Sequence, residues 1–388
     1  MSKILEGVRV LDLGRIISAP YTAMMLADMG AEVIKVERAG VGDDMRTLDE
    51  FDFPAVNRNK KSVTIQFRSE EGKALLRGLI EKSDVLLENF RPGTMEKMGF
   101  SYEEIQKINP RMIVCSISGF GQTGPYSKRA AFDSIIQAVS GIMSVTGTAD
   151  SGPCRIGSPL LDHASGLFAL SGILLALYDR EKTGKGQYID IGMLDCAVPM
   201  LFTHIPHYSA LGVIAGPEDT NAPTSVPAQT YKAQDGYIYI NGGTPSLFKY
   251  IREIIGSEEL MQDKYISQEY RKEHHVEVNA IVADWVAQHT VDEVMDLMTA
   301  GGVPAGIVST IDRVLRDPHV LERRDIVDIE VEGRGLVKFG GNPIKMSEHP
   351  VEEFRPAHKL GQDNEDIYCG LLGLSKEKLE QLKANKDI

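Results

Sequence analysis

Val8-Arg9-Val10-Leu11-Asp12-Leu13-Gly14, and farther on Gly30-Ala31-Glu32-Val33-Ile34-Lys35-Val36-Glu37-Arg38, decide the fold class. The first run is short and apolar and is bounded by Gly7 and Gly14. Between the two runs, Met24, Met25, Leu26 and Met29 fall at helical spacing over 21–29, and Gly30 stops the helix. Strand, crossover helix and strand form the unit of a parallel sheet. The same alternation continues, with strands expected at 62–67, 84–88, 112–118 and 187–193 and helices at 70–81, 102–107, 132–145 and 163–180. The expected class is α/β, with a doubly wound, Rossmann-like parallel sheet in a large domain.

The pattern changes after about Pro199. Residues 1–200 read as the N-terminal part of the large domain. Residues 201–228, with several Pro, Gly and Ala, read as a linker. Residues 229–310 read as a smaller α+β domain, with a hairpin over 231–241 around Asp235-Gly236 and helices at 246–255, 276–289 and 290–300. Residues 311–388 read as a linker and a C-terminal return to the large domain, with strand pairs at 326–340 and a last helix at 376–384.

Composition narrows the function. The chain has 388 residues and a formal net charge of -13, so its field repels the phosphate backbone of nucleic acid. A few placed cations can still hold an anionic ligand locally. No run reaches the ~20 apolar residues of a membrane span, and Glu6 interrupts the N-terminus too early for a signal peptide. Cys115, Cys154, Cys196 and Cys369 are scattered singly, which predicts neither a zinc site nor a redox pair and suits a reducing cytoplasm.

Several familiar sites are missing. The first turn, Gly14-Arg15-Ile16-Ile17-Ser18-Ala19-Pro20, lacks the GxGxxG of dinucleotide enzymes. Arg38 directly follows Glu37 at the end of the second strand, where it suits the phosphorylated ribose of NADP or coenzyme A; an ordinary surface arginine is the plain alternative. His274 and His275 are neighbours and point apart, and Pro206 between His204 and His207 disfavours the helix that would pair them, so no metal site is expected. Neither a GxSxG elbow nor a P-loop is present.

The most informative stretch is Gly157-Ser158-Pro159-Leu160-Leu161-Asp162-His163-Ala164-Ser165-Gly166-Leu167-Phe168. Asp162 precedes a strongly apolar segment and reads as a helix N-cap. A carboxylate there is kept ionised by the positive helix end and is able to attack a thioester carbonyl. Gly166, lacking a side chain, allows a bulky group to approach.

The chain resembles the class III CoA-transferases, the group that contains formyl-CoA transferase and carnitine CoA-transferase. The runs that carry the resemblance are Val10–Leu13, Gly30–Glu37, Glu88-Asn89-Phe90-Arg91-Pro92-Gly93, Ser118–Pro125, the Asp162 segment, Thr183-Gly184-Lys185-Gly186-Gln187 and Gly302-Val303-Pro304-Ala305-Gly306. The resemblance implies that Asp162 is the nucleophile and that Arg15, Ile16, Ile17 and Ser18 line the CoA site. It implies further CoA contacts from Arg38, Asn89, Phe90, Lys97 and Met193, the last placed on the strand after the catalytic helix. The implied reaction moves CoA from an acyl-CoA to a free carboxylic acid through an aspartyl anhydride and an aspartyl-CoA thioester. Acyl-CoA is a substrate, and no tightly bound cofactor or metal is implied. An interlocked-ring homodimer is implied as well.

Two departures stand out. Ile17 occupies a place held by Gln in formyl-CoA transferase, and that enzyme's glycine-rich closing loop has only Gly242-Gly243 as a counterpart. Three other readings remain at this stage. An α-methylacyl-CoA racemase shares the fold but carries a His where this chain has Phe132, before Asp133. A non-catalytic CoA-binding protein and an NADP-dependent oxidoreductase are the others. The donor and acceptor acids are not named by the sequence.

Overall fold

The structure, a computed structural model, describes residues 3–148, 150–217 and 225–388. The part of the expected 201–228 linker at 218–224 lies outside the described residues, as do residues 1–2. Two compact units emerge. The first joins Met1–Ile142, Ile156–Phe202 and Pro318–Ile388; the second joins Met143–Arg155 and Thr203–Asp317.

The first unit is built on β1 (Arg9–Asp12), α1 (Ser18–Asp28), β2 (Glu32–Arg38), β3 (Lys61–Ile65), α2 (Glu70–Glu81), β4 (Val85–Glu88), α3 (Tyr102–Ile108), β5 (Ile113–Ser118), α4 (Asp133–Ser140), α5 (Leu160–Thr183), β6 (Tyr188–Gly192) and α6 (Met193–Ala197). Its six strands are all parallel, in the order β3-β2-β1-β4-β5-β6. The pleat sorts the side chains. Val10, Val33, Leu87 and Cys115 join residues of α1 and α5 in one core, while Leu11, Ile34, Leu86 and Val114 join residues of α2, α3 and the C-terminal helix Lys376–Ala384 in the other. Helices thus cover both faces. The order reverses between β1 and β4, and at that switch point the loops after both strands diverge at the carboxyl edge, where α/β sheets bind their ligands.

Several elements differ from expectation for physical reasons. α4 stops at Ser140 because Gly141 takes a left-handed φ of 95°, and the continuation to 145 is a separate 3-10 turn, Met143–Val145. α5 starts three positions before 163, with Pro159 at its N-cap, so Asp162 sits inside the first turn rather than capping it. This helix is long and apolar enough to cross a membrane, contrary to the reading of the sequence; half of its most apolar window is buried inside the protein. Met193 begins α6 instead of ending β6.

In the second unit, His204–Leu211 is helical inside the expected linker. Pro206 falls in the first turn, where its missing N–H has no helical acceptor to lose. The strands Ala228–Lys232 and Tyr237–Asn241 pair as the expected hairpin, and a third, Ala305–Ile307, adds to its edge. Gly242-Gly243, the nearest counterpart of the closing loop, is tightly packed in its own unit. A Cβ on Gly243 would collide with Ser225 and the Val226 amide, and the buried Arg271 donates to the Gly243 carbonyl at 2.6 Å.

Candidate active site

The loop after β1 is held from two sides. Asn89, just past β4, accepts from Arg15 N at 2.8 Å and donates to Arg15 O at 2.7 Å and to Ser18 Oγ at 3.0 Å. Its side chain is therefore spent on the Arg15 backbone, a tie across the switch point. Glu88 fixes the partner turn by accepting from Phe90 N at 2.6 Å; burial pushes its pKa up to about 7. Ile16 adopts a left-handed φ of 64°, rare for a β-branched residue. Ile16 and Ile17 pack on Met45, Phe53 and Val56.

The start of α5, which carries Asp162, is brought beside the start of α1 by the packing of two helices. Crossover helices of a parallel sheet run antiparallel to its strands, so α1 and α5, which share one core, both point their N-termini at the carboxyl edge. They touch at Gly166. A Cβ there would lie 3.0 Å from Ser18 O and 2.9 Å from Tyr21 Cδ1, and Thr22 Oγ1 donates to Gly166 O at 3.0 Å. Asp162 lies one turn earlier on the same face of α5. The glycine expected to admit a ligand instead admits α1.

The N-terminus of α5 is capped from a distance. Asp133 Oδ2 accepts from Leu161 N at 2.7 Å and Asp162 N at 3.3 Å, while Asp133 Oδ1 accepts from Gln137 Nε2 at 2.5 Å. Gln137 in turn accepts from Ile156 N at 2.8 Å. Burial, and then the Asp133 charge, push the Asp162 pKa up to about 7. Desolvation outweighs the helix dipole, worth about 0.3–1 kcal/mol at a helix end. Asp162 is thus poised between its two forms at neutral pH, a revision of the fully ionised carboxylate expected from sequence.

His163 does not join it. Its Nδ1 donates to Pro159 O at 2.8 Å, and its ring meets Tyr21 edge-on at 4.7 Å. It borders a separate pocket of about 510 Å³ that includes Ile17, Tyr21 and Val56.

A cleft of about 510 Å³ opens where β1, β2, β3 and β4 end. Leu13, Val36, Phe67, Phe90 and Met98 form apolar walls, and Arg15, Arg38, Arg68, Lys73 and Lys97 supply cations. Asp44 pairs with both Arg15 and Arg38, the latter at 3.0 Å, so the two guanidinium groups share one carboxylate. Such a cleft suits a ligand with a flat apolar ring and several phosphates.

Of the residues expected to bind a ligand, Arg15, Arg38, Phe90 and Lys97 line the cleft. Ile16, Ile17 and Ser18 continue the same loop into α1, and Asn89 clamps it. Met193 is not brought there: it is 5% exposed, inside the core shared by α1 and α5. Arg68 and Lys73 were missed, because nothing local distinguishes them from surface cations. Asp133 and Glu88 were missed as well. Among the described residues, no group of three His, Cys, Asp or Glu is placed to hold a metal ion.

The sequence profile of CoA-transferase family III matches residues 5–364. The succinyl-CoA–D-citramalate CoA-transferase of Chloroflexus aurantiacus is 38% identical over 99% of this chain and 98% of its own. The succinyl-CoA:glutarate CoA-transferase of Mus musculus is 35% identical over 98% of this chain and 89% of its own. Among solved structures, a CAIB/BAIF family protein from Brucella suis superposes with a TM-score of 0.88 at 34% identity, over 96% of this chain and 100% of that one.

Proposed function

This chain belongs to CoA-transferase family III and is a CoA-transferase enzyme, and from that premise we propose that it moves CoA from an acyl-CoA to a free carboxylic acid by covalent catalysis on Asp162. The observation that supports the reading is the place of Asp162 in the first turn of α5, one turn before Gly166, where α5 meets the start of α1, while Arg15 at the other end of the loop before α1 lines the cationic cleft.

The ionised Asp162 attacks the thioester carbonyl, the C–S bond breaks, and a mixed anhydride and CoA thiolate result. The thiolate attacks the aspartyl carbonyl and expels the donor's carboxylate, which leaves an aspartyl-CoA thioester. The acceptor carboxylate attacks that thioester, giving a second anhydride and free thiolate. The thiolate then attacks the acceptor's acyl carbon, forming the new acyl-CoA and restoring Asp162. One activated acyl group replaces another at each step, so no ATP is consumed. Free amides at the start of α1 are suited to stabilise the oxyanions, each donor being worth roughly 3 kcal/mol. The racemase reading is weakened by Phe132, a residue 71% exposed whose ring carries no transferable proton, and by the engagement of His163 Nδ1 with a carbonyl.

Trapping tests the proposal. Incubation with succinyl-CoA followed by hydroxylamine should put a hydroxamate on the Asp162 peptide, seen by mass spectrometry; an unmodified peptide under turnover would end the covalent scheme. The cleft gives a second expected result. Arg38→Ala should weaken CoA binding about tenfold, the loss of one charge-assisted contact, and should weaken 3′-dephospho-CoA binding less. Equal losses in calorimetry would remove Arg38 from the phosphorylated ribose.

The same reading includes an interlocked homodimer working in the cytoplasm. Exposed apolar side chains along α5, among them Leu167, Phe168, Leu174, Leu175 and Tyr178, support a further protein contact, and the four cysteines are free. Folded monomers appearing on dilution would contradict the interlocking.

A further inference from the structure

Four buried charges take no part in the chemistry just described. Asp12, Lys35, Asp43 and Lys60 are 0%, 1%, 2% and 2% exposed. Lys35 Nζ pairs with Asp43 Oδ2 at 2.9 Å and donates to Gly14 O at 2.8 Å. Lys60 Nζ donates to Asp12 Oδ2 and Pro20 O, both at 2.7 Å, and to Asn57 Oδ1 at 2.8 Å. Asp12 Oδ1 accepts from Gly14 N at 2.9 Å, and Asp43 Oδ1 accepts from Ile16 N at 3.2 Å and Met45 N at 3.1 Å.

These contacts converge on one short stretch of backbone: both polar groups of Gly14, the amide of Ile16 and the carbonyl of Pro20. Burying ions is costly, and well-packed apolar side chains of similar volume often stabilise a fold at least as well. The stretch they grip contains Ile16 at its left-handed φ of 64°, a conformation that persists only where the surroundings enforce it. Immediately beyond it, Ile17 is the N-cap of α1 with no side-chain cap, so the first amides of that helix have no intrahelical acceptor.

We propose that Asp12, Lys35, Asp43 and Lys60 are positioning residues: together they hold Ile16 in its left-handed turn, so that the amides of Ile17 and Ser18 face the Asp162 carboxyl group and the oxyanions formed on it. The inference rests on the covalent reading of Asp162. When the cluster is broken, Ile16 relaxes to a negative φ and the amides swing away, although the cleft keeps Arg38, Arg68, Lys73 and Lys97 and still binds CoA.

The test uses the full-length protein and succinyl-CoA. In Lys35→Met, the rate of adduct formation at Asp162, measured by rapid quench, should fall about 10²-fold, as for a reacting group displaced by about 1 Å. The Kd for CoA from calorimetry should change less than about threefold. Asp43→Asn keeps the Oδ1 acceptor and loses the charge; it should cost a similar factor, and adding it to Lys35→Met should cost less than about threefold more, because the residues act as a unit. A folded Lys35→Met protein with wild-type adduct rate would overturn the inference, and so would equal losses in rate and affinity, or additive costs in the double variant. If neither single variant folds, the cluster is a folding element and the inference also falls. Absence of adduct in the wild-type protein would instead overturn the covalent reading on which this one rests.

Discussion

Asp162→Asn should bind CoA as tightly as the wild-type protein and transfer none of it. The amide has the shape of the carboxyl group but cannot form the anhydride, so the transfer rate should drop by at least about 10⁴-fold, the scale seen when a nucleophile is removed. The Kd for CoA should hold, because Asp162 is not among the residues that line the cleft. The substitution should also stabilise the protein. The folded pKa of Asp162 is raised to about 7, against about 3.9 in an unfolded chain. A carboxyl group shifted upward favours the fold fully below its unfolded value, and that contribution is lost as pH rises through the folded value. Above pH 7 the wild-type protein therefore carries a burden on the order of a few kcal/mol that Asn does not. The gain in Tm of Asp162→Asn should be near zero at pH 4, grow up to about pH 7 and then level off. Transfer by the variant would mean that Asp162 is not the nucleophile, and a Tm difference that ignores pH would mean that its burial does not strain it.

The sequence was most readable where the cause of an element lies inside it. Glu70–Glu81 and Lys376–Ala384 begin and end where expected, because Ser69 and Ser375 cap them and their apolar residues keep helical spacing. The parallel sheet was legible from apolar runs separated by helices. What could not be read was set by distant partners. α5 begins at Leu160 rather than at 163 because its amides are capped by Asp133, a residue of another helix. Lys35 looks like one polar position in a strand, yet it is 1% exposed and faces Asp43. Arg68 and Lys73 reach the cleft only because β3 ends beside β2. The position of Asp162 on the chain was legible; its environment was not. The positive helix end suggested a charged carboxylate, whereas burial and Asp133 set the balance the other way.

Asp133 gives the sharpest check on that balance. Wild-type adduct formation should rise with pH through about 7, as Asp162 loses its proton. Asp133→Asn removes the second cause of the raised pKa and leaves the first, which is burial. The midpoint should therefore fall without reaching the ordinary carboxylate range. Asn can keep its oxygen toward Leu161 N and Asp162 N, but its NH2 would then face Gln137 Nε2, and the Gln137 amide must turn over. Ile156 N then loses its acceptor, so a small loss of Tm accompanies the shift. Asp133→Ala removes the cap as well. It leaves two first-turn amides without an acceptor, which costs about 1–3 kcal/mol, and should lower Tm more than Asn does while moving the midpoint the same way. The pair of variants separates charge from capping: both shift the pH profile, and only Ala frays the start of α5. If the Asn midpoint stays with the wild type or moves upward, the two carboxyl groups do not sense each other, and the tuning of Asp162 must come from burial alone.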